Sequence, residues 1–365
     1  MDDAHYMRRA IELARNGWYT TAPNPRVGCV LVRDERIIGT GWHERAGAAH
    51  AEVRALADAA AGGEDTRGAC AYVTLEPCSH HGRTPPCVEQ LIAAGLARVV
   101  VGMQDPNPKI QGRGLAALRA AGIEVVSGVE EAACRALNRG FIQRMHSGRP
   151  RTRLKLAMTL DGRSAAANGE SQWLTGTAAR TDVHRLRAES GAVLIGSGTL
   201  LADDPALNVR LQGEWPQPLR VIADSRLQTP ARARMLALPG NTCIYTATTP
   251  DHPAWQPLTT AGATLRQVSA ASGGIDLAEV LADLGTQGIN DVLVEAGPTL
   301  AGSLIAQSLA DELLVYMAPQ LLGDSGRGLV TLPGARTLAD RVYLAIEDIQ
   351  PVGKDWLIRA RIGKE

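Results

Sequence analysis

The chain of 365 residues carries a set of metal-binding side chains near its start. The stretch GACAYVTLEPCSHHGRTPPCVEQLIAAG, Gly68 to Gly95, puts Cys78 and Cys87 on one bend together with His80, His81, Pro77, Pro85 and Pro86. Upstream, AHAEV supplies His50 and, two residues on, Glu52. Thiolates and neutral imidazoles are zinc ligands, and a site with three protein ligands keeps its fourth position for a water whose pKa falls to about 7. Glu52 is spaced to take that water's proton and pass it to a departing nitrogen. A purely structural zinc normally has four protein ligands, and only three are well placed here. His80 and His81 are the rival ligands. His80 is so close to Cys78 that both could ligate only through a tight turn, so these two histidines read as solvated or as touching substrate.

Three elements must hold this set. ACAYVTL is a strand leading to Cys78, CVEQLIAAG a helix opened by Cys87 and closed by Gly95, and AHAEVRALADAA a helix with His50 in its first turn and Val53, Leu56, Ala57 and Ala60 on one side. RVGCVLV and ERIIGTGW read as paired strands, ARVVVGM as a strand, GRGLAALRAAG as a helix and IEVVSG as a strand. The first helix is capped by Asp2 or Asp3, carries Met7, Ala10, Ile11 and Ala14 on one face, and ends at Gly17. Strand–helix alternation of this kind predicts an α/β sheet, partly parallel. The pattern stops near Cys134 to Asn138, and HSGRPR, His146 to Arg151, reads as a linker. The expected domains are residues 1–147 and 148–365.

The second half is a further α/β pattern. RLKLAMTLDG, AVLIGSG, PLRVIADS, NTCIYTA, DVLVEAG and DELLVYMAP are strands. TAARTDVHRLRAES, DLAEVLADLGTQG and TLAGSLIAQSL are helices, and YLAIEDIQPVGKDWLIRARI is a closing antiparallel hairpin. Gly297 precedes a helix whose free N–H groups suit a phosphate. GSG at Gly196 to Gly198 is no dinucleotide fingerprint, because the third glycine is missing, and a Rossmann reading is rejected.

Composition narrows the function classes. Lys+Arg and Asp+Glu are both 38, and aromatics are 4%, which gives neither a basic footprint nor a stacking platform for nucleic acid. No apolar run reaches the ~18 residues of a membrane span, and the N-terminus lacks the order of a signal peptide. The expectation is a cytoplasmic protein with reduced thiols, in which Cys29, Cys70, Cys134 and Cys243 pack in the core.

The spacing H-x-E … P-C … C is that of zinc deaminases, except that eight residues rather than two separate the cysteines. APNPRVGCVLV, GWHERAGAAHAEV, TLEPCSHHGRTPPC and VVVGMQDPNP resemble the deaminase half of the bifunctional riboflavin-biosynthesis deaminase-reductase family, which carries that longer insert. KLAMTLDGRSA, NGESQWLTG, VHRLRAESGAVLIGSGTLLADDPALNVR, VIADSRL and VLVEAGPTLAGSLI resemble its reductase half, and the likeness covers nearly the whole chain in order.

The resemblance implies a cytidine-deaminase-like three-layer domain followed by a dihydrofolate-reductase-like α/β domain. It implies deamination of 2,5-diamino-6-ribosylamino-pyrimidinone 5′-phosphate at ring C2, then NADPH-dependent reduction of the ribose to ribityl. It also implies association, as a dimer, through the reductase half. The implied cofactor contacts are Ala157, Trp173, Thr199, Asp203, Ser225, Gly297, Pro298, Thr299, Leu300, Ala301, Gly302 and Ser303. The implied substrate contacts are Ser171, Arg187, Leu207, Arg210 and Glu295, with guanidinium forks on the ribose phosphate. Asn24 and His43 are further candidates in the deaminase half. Asp203, Lys155 and Glu295 are the candidate acids for ribose reduction.

Two rivals share these motifs: a nucleic-acid base deaminase with an appended binding domain, and a deaminase whose second half only senses a ligand.

Overall fold

The computed structural model describes residues 2–79, 85–108 and 110–363. The chain divides into two compact units, Met1–Gly148 and Arg149–Glu365. Much of the stretch read as a linker belongs to its flanking elements, a helix running to Ser147 and a strand starting at Arg151.

The first unit runs α1 (Asp3–Ala14), β1 (Gly28–Arg33), β2 (Arg36–Trp42), α2 (Ala51–Ala61), β3 (Cys70–Leu75), α3 (Cys87–Ala93), β4 (Arg98–Met103), α4 (Arg113–Ala120), β5 (Glu124–Ser127), α5 (Glu131–Leu137) and α6 (Arg139–Ser147). Among the described residues the sheet order is β2-β1-β3-β4-β5. β1 is antiparallel to both neighbours, and β3, β4 and β5 run parallel.

Strand side chains alternate between two faces. Cys29, Leu31, Ala71, Val73, Val99 and Val101 pack against α2, α3 and α4, whereas Val30, Val32, Tyr72 and Val100 pack against α1 and α5. The result is three layers. α1 starts as expected, with the Asp2 side chain accepting from the His5 N–H at 2.9 Å. Cys29 and Cys134 sit in this core.

α2 buries a different face from the one expected. Ala51, Glu52, Ala55 and Ala59 point inward, while Ala57 and Ala60 are exposed. The cause lies on β2. A Cβ at Gly41 would sit 2.3 Å from the Ala51 carbonyl oxygen, and one at Gly39 would sit 2.4 Å from that of Ala55. Glycine and alanine let strand and helix backbones approach closely, and that contact, rather than the larger apolar side chains, orients the helix.

The second unit contains β6 (Arg151–Thr159), β7 (Arg163–Ala165), α7 (Thr177–Glu189), β8 (Ala192–Gly196), α8 (Ser197–Asp203), β9 (Leu219–Ala223), β10 (Thr242–Thr246), α9 (Trp255–Thr260) and β11 (Ala263–Gln267). It continues with β12 (Ala270–Ala271), β13 (Gly274–Ile275), α10 (Leu277–Thr286), β14 (Asp291–Glu295), α11 (Pro298–Ala306), β15 (Glu312–Ala318), β16 (Arg327–Gly328), β17 (Tyr343–Val352) and β18 (Asp355–Gly363). α5, α6, α8, α9, β7, β11, β12, β13 and β16 add to the elements read from sequence.

The main sheet has the order β11-β10-β9-β8-β14-β6-β15-β18-β17 among the described residues. It is parallel from β11 to β15 and antiparallel from β15 through β18 to β17. α10 and α11 cover one face, and α7, α8 and α9 the other. Among the described residues no helix is long and apolar enough to cross a membrane.

Candidate active sites

In the first unit three segments bring their donors together. His50 is the N-cap of α2, with extended φ −72° and ψ 164°, so it stands one residue before the helix rather than in its first turn. Cys78 follows β3, and Cys87 is the first residue of α3 behind Pro86. His50 Nδ1 lies 3.2 Å from Cys87 Sγ and 3.6 Å from Cys78 Sγ. All three donor atoms fall within 4.8 Å of one another. A tetrahedral zinc with ordinary Zn–S and Zn–N bonds has donor–donor edges of about 3.5 Å, so the set fits zinc. No fourth His, Cys, Asp or Glu among the described residues joins the cluster. His80 and His81 lie outside the described residues.

The electrostatics agree with that donor set. The Cys87 thiol hydrogen-bonds Cys78 and, with help from His50, holds it down at about 4 despite burial. The same contact, together with burial, drives Cys87 well up. Metal-ligating sulfurs are thiolates, and a divalent ion displaces thiol protons on binding.

Glu52 is 3% exposed. Burial raises it to about 6, against the pull of its own backbone N–H, His50 and Cys87. A carboxyl of this kind, buried beside the metal donors, is suited to proton transfer.

Asn24 and His43 meet next to this cluster. His43 Nδ1 is 3.2 Å from the Ala49 carbonyl oxygen, and its Nε2 is 3.1 Å from Asn24 Nδ2. Burial lowers its pKa. A neutral ring donating from Nδ1 and accepting at Nε2 satisfies both contacts. That leaves the Asn24 carbonyl oxygen for another partner. The His43 ring stands edge-on to that of His50, centroids 5.4 Å apart.

In the second unit, a cavity of about 1440 Å³ opens at the carboxyl ends of β6, β8, β9 and β14. That is the usual ligand position on a parallel sheet. Its size exceeds a typical single-ligand pocket and suits a dinucleotide together with a second molecule. Lys155, Ala157, Ser171, Trp173, Arg187, Thr199, Asp203, Leu207, Arg210, Ser225 and Glu295 all line it, as do Gly297 to Leu300 and Ser303.

Ala301 and Gly302 do not line the cavity. Ala301 is fully buried, and a Cβ at Gly302 would sit 1.7 Å from the Thr331 carbonyl oxygen. A helix turns a full circle in 3.6 residues, so a continuous segment cannot face one cavity throughout.

Gly297 caps α11 with no side-chain acceptor, which leaves the first N–H groups of the helix for an anion. This cradle fits a dinucleotide pyrophosphate. Trp173 is 68% exposed at the mouth, under Arg180 at 4.9 Å, so it is no core residue.

Arg187 Nε and Nη2 donate to Glu295 Oε1 and Oε2 at 2.6 and 2.9 Å, and Nη1 donates to the Asn208 carbonyl oxygen at 3.0 Å. The fork expected to meet a phosphate is therefore already engaged. Arg210 is the exposed guanidinium of the pair. Burial pushes Glu295 up, but the Arg187 charge, its hydrogen bonds and Lys155 outweigh this and hold the carboxyl at about 2. Burial pushes Lys155 down, with Glu295 opposing.

Sequence reasoning passed over His184, which burial and the charges of Arg187 and Arg210 lower to about 4. Its Nδ1 accepts from the Arg210 N–H at 3.2 Å. The available signal was its position three residues before Arg187 on α7.

Comparison with known proteins agrees with both halves. Residues 1–103 match the cytidine and deoxycytidylate deaminase zinc-binding region, and residues 150–358 match the RibD C-terminal domain. The chain is 50% identical to riboflavin biosynthesis protein RibD of Escherichia coli, over 97% of this chain and 98% of that one. It is 44% identical to RibD of Haemophilus influenzae, over 97% and 95%. Among solved structures, Acinetobacter baumannii RibD superposes with a TM-score of 0.91 at 42% identity, covering 99% of each chain. A Thermotoga maritima diaminohydroxyphosphoribosylaminopyrimidine deaminase/5-amino-6-(5-phosphoribosylamino)uracil reductase does so with a TM-score of 0.87 at 34% identity, again over 99% of each. The likeness runs through both halves of the chain. The chain belongs to the RibD family of bifunctional riboflavin-biosynthesis enzymes, with a zinc-binding deaminase half and an NADPH-dependent reductase half.

Proposed function

We propose that residues 1–147 deaminate 2,5-diamino-6-ribosylamino-pyrimidinone 5′-phosphate and that residues 148–365 then reduce its ribose to ribityl. The observation that carries this reading is the meeting of His50, Cys78 and Cys87 beside buried Glu52, in a chain whose second unit holds a cavity large enough for two ligands. The substrate is a small molecule. Zero net charge and few aromatics support a protein that works without nucleic acid or membrane, in the cytoplasm.

His50, Cys78 and Cys87 hold the zinc, which supplies the Lewis acidity that makes a water nucleophilic near neutral pH. Glu52 takes a proton as the C2–O bond forms and gives it to the amine nitrogen as the C–N bond breaks, so ammonia leaves. The Asn24 carbonyl oxygen, freed by the bond from its amide to His43, accepts from the substrate ring.

In the reductase half the nicotinamide supplies the hydride. The α11 N-terminus, with Gly297 to Leu300 and Ser303, holds the cofactor together with Ala157, Trp173, Thr199, Asp203 and Ser225. Arg210, Ser171 and Leu207 hold the phosphoribosyl group, and Arg187 positions Glu295. Glu295 is ionised at neutral pH and cannot donate a proton. Lys155 is the acid that protonates the ribose ring oxygen as the ring opens. Its depressed pKa and its place beside Glu295 support that role.

The working unit is a dimer through the reductase half. β17 is the edge strand of the main sheet and exposes Leu344, Ile346 and Ile349, an apolar edge that a second copy would cover.

The test uses the zinc-loaded full chain. Ammonia release from the diamino substrate, and NADPH oxidation only with the deaminated substrate, are expected. NADPH oxidation absent with that substrate overturns the reductase assignment.

A further inference from the structure

The closing hairpin of the chain reaches back to the wall of the reductase cavity. β17 and β18 pair as far as Val352 and Asp355, so Gly353 and Lys354 make the turn. Gly353 sits at φ +67°, and a Cβ there would lie 2.7 Å from the Ala178 Cβ. Ala178 is in the first turn of α7. Glycine against alanine lets the hairpin tip rest on the start of that helix.

Asp355, at the foot of the turn, is 1% exposed. Its Oδ2 accepts from the Gly176 N–H at 2.6 Å. Gly176 is the N-cap of α7 and brings no side chain of its own to that end. The Asp355 carboxylate stands there in its place, where the helix macrodipole favours negative charge. Its Oδ1 is buried with no hydrogen-bond partner among the described residues. An oxygen left so carries an uncompensated desolvation cost, so stability alone is a poor account of this residue.

What the bond fixes is the end of a cavity wall. Residues 166–176, between β7 and α7, form neither helix nor strand. Ser171 to Thr175 in that loop line the cavity. Gln320 Nε2 donates to the Leu174 carbonyl oxygen at 2.8 Å, Arg180 Nη1 to that of Thr175 at 2.7 Å, and Gln172 Nε2 to Asp203 Oδ1 at 3.0 Å. Gln320, Gln172 and Asp203 are exposed and Arg180 is half-buried, so water competes for these bonds. The Gly176 N–H instead meets a buried, charged acceptor, which makes the stronger tie. Lys155 and Glu295 lie on β6 and β14, away from the loop.

We propose that Asp355 is a positioning residue of the reductase. It holds the loop so that Ser171 and Trp173 meet substrate and cofactor, and it makes the terminal hairpin part of the site without lining it. This rests on the reductase reading given above.

The test compares variants of the zinc-loaded full chain by calorimetric NADPH binding and by steady-state reductase kinetics. Asp355→Ala raises the Kd for NADPH and the KM for the deaminated substrate, each roughly tenfold or more. It leaves kcat within about threefold, as loss of uniform binding requires. Asp355→Asn keeps an acceptor for the Gly176 N–H and stays within about threefold of the native chain in Kd and KM. Tyr316→Phe removes another bond to α7, from the Tyr316 hydroxyl to Asp182 Oδ2 at 2.6 Å. It lowers the Tm but leaves Kd and KM within about twofold. Should Asp355→Ala fail to fold, Asp355→Glu, which keeps the charge and moves the acceptor by one methylene, shows the rise instead.

Native Kd and KM in Asp355→Ala, or in Asp355→Glu where the alanine variant does not fold, overturn the proposal. An equal rise in Tyr316→Phe does so too, because it marks a general loosening of α7. The calorimetric comparison needs no turnover. A native chain that binds NADPH and never oxidises it therefore removes the reductase reading alone, and the effect of Asp355 on the loop is still read from Kd.

Discussion

Arg187 on α7 and Glu295 at the end of β14 are joined by two parallel hydrogen bonds, 2.6 and 2.9 Å, across 108 residues of sequence. Both side chains are largely withdrawn from solvent, at 10% and 14% exposure. The pair therefore places a mutually neutralised guanidinium and carboxylate in the lining of the reductase cavity. Arg187→Leu strands a buried carboxylate, and breaking a pair of this kind costs about 3–5 kcal/mol. The folded carboxyl titrates at about 2, against 4.5 ordinarily. Its stabilising contribution is thus complete above pH 4.5 and is lost as the pH falls towards 2. The gap in stability between native chain and variant should be widest near pH 7 and narrow below pH 4.5, read from urea unfolding at each pH. An equal gap at all pH values would dissociate Glu295 from Arg187.

Glu52→Gln should keep zinc and lose deamination by about 10²–10⁴-fold, the usual size of a general acid–base contribution. NADPH oxidation with deaminated substrate should be unchanged. The two activities and metal content, measured on one preparation, check this.

Gly41→Ala tests the positioning of the site without touching a ligand. The new Cβ would sit 2.3 Å from the Ala51 carbonyl oxygen, a backbone atom that no side-chain rotation can move aside. α2 must shift, and His50 and Glu52 with it. A loss of about 1–3 kcal/mol in stability is expected, with weaker zinc retention and normal reductase turnover. Unchanged zinc affinity would show that α2 does not set His50.

Lys155→Met should lower kcat of the reductase by about 10²-fold or more and leave KM for NADPH nearly unchanged. Deamination, in the other unit, should be unaffected. A change in KM alone would make Lys155 a binding residue.

What the sequence disclosed depended on distance along the chain. His50, Cys78 and Cys87 were legible because each sits at the end of an element whose pattern is local, and ligand chemistry restricts the residue types. The face of α2 was not, because an alanine-rich helix carries little apolar asymmetry, and Gly39 and Gly41 on another strand decide its orientation. The engagement of Arg187 by Glu295 was equally hidden, since no local pattern links residues so far apart. That Ala301 and Gly302 lie off the cavity was not legible either, because Gly297 to Ser303 reads as one segment while a helix shows only part of itself to any cavity. α8 was missed because a helix of seven residues directly after β8 gives too short a period to read.

X-ray absorption at the zinc edge of the metal-loaded full chain tests the central claim most directly. One zinc per chain is expected, with two sulfur neighbours at about 2.3 Å and one imidazole nitrogen at about 2.0 Å, the rest of the shell being light and lost to no single Cys or His substitution elsewhere. A shell filled by a fourth protein donor, or one that keeps both sulfurs in Cys87→Ser, would contradict it.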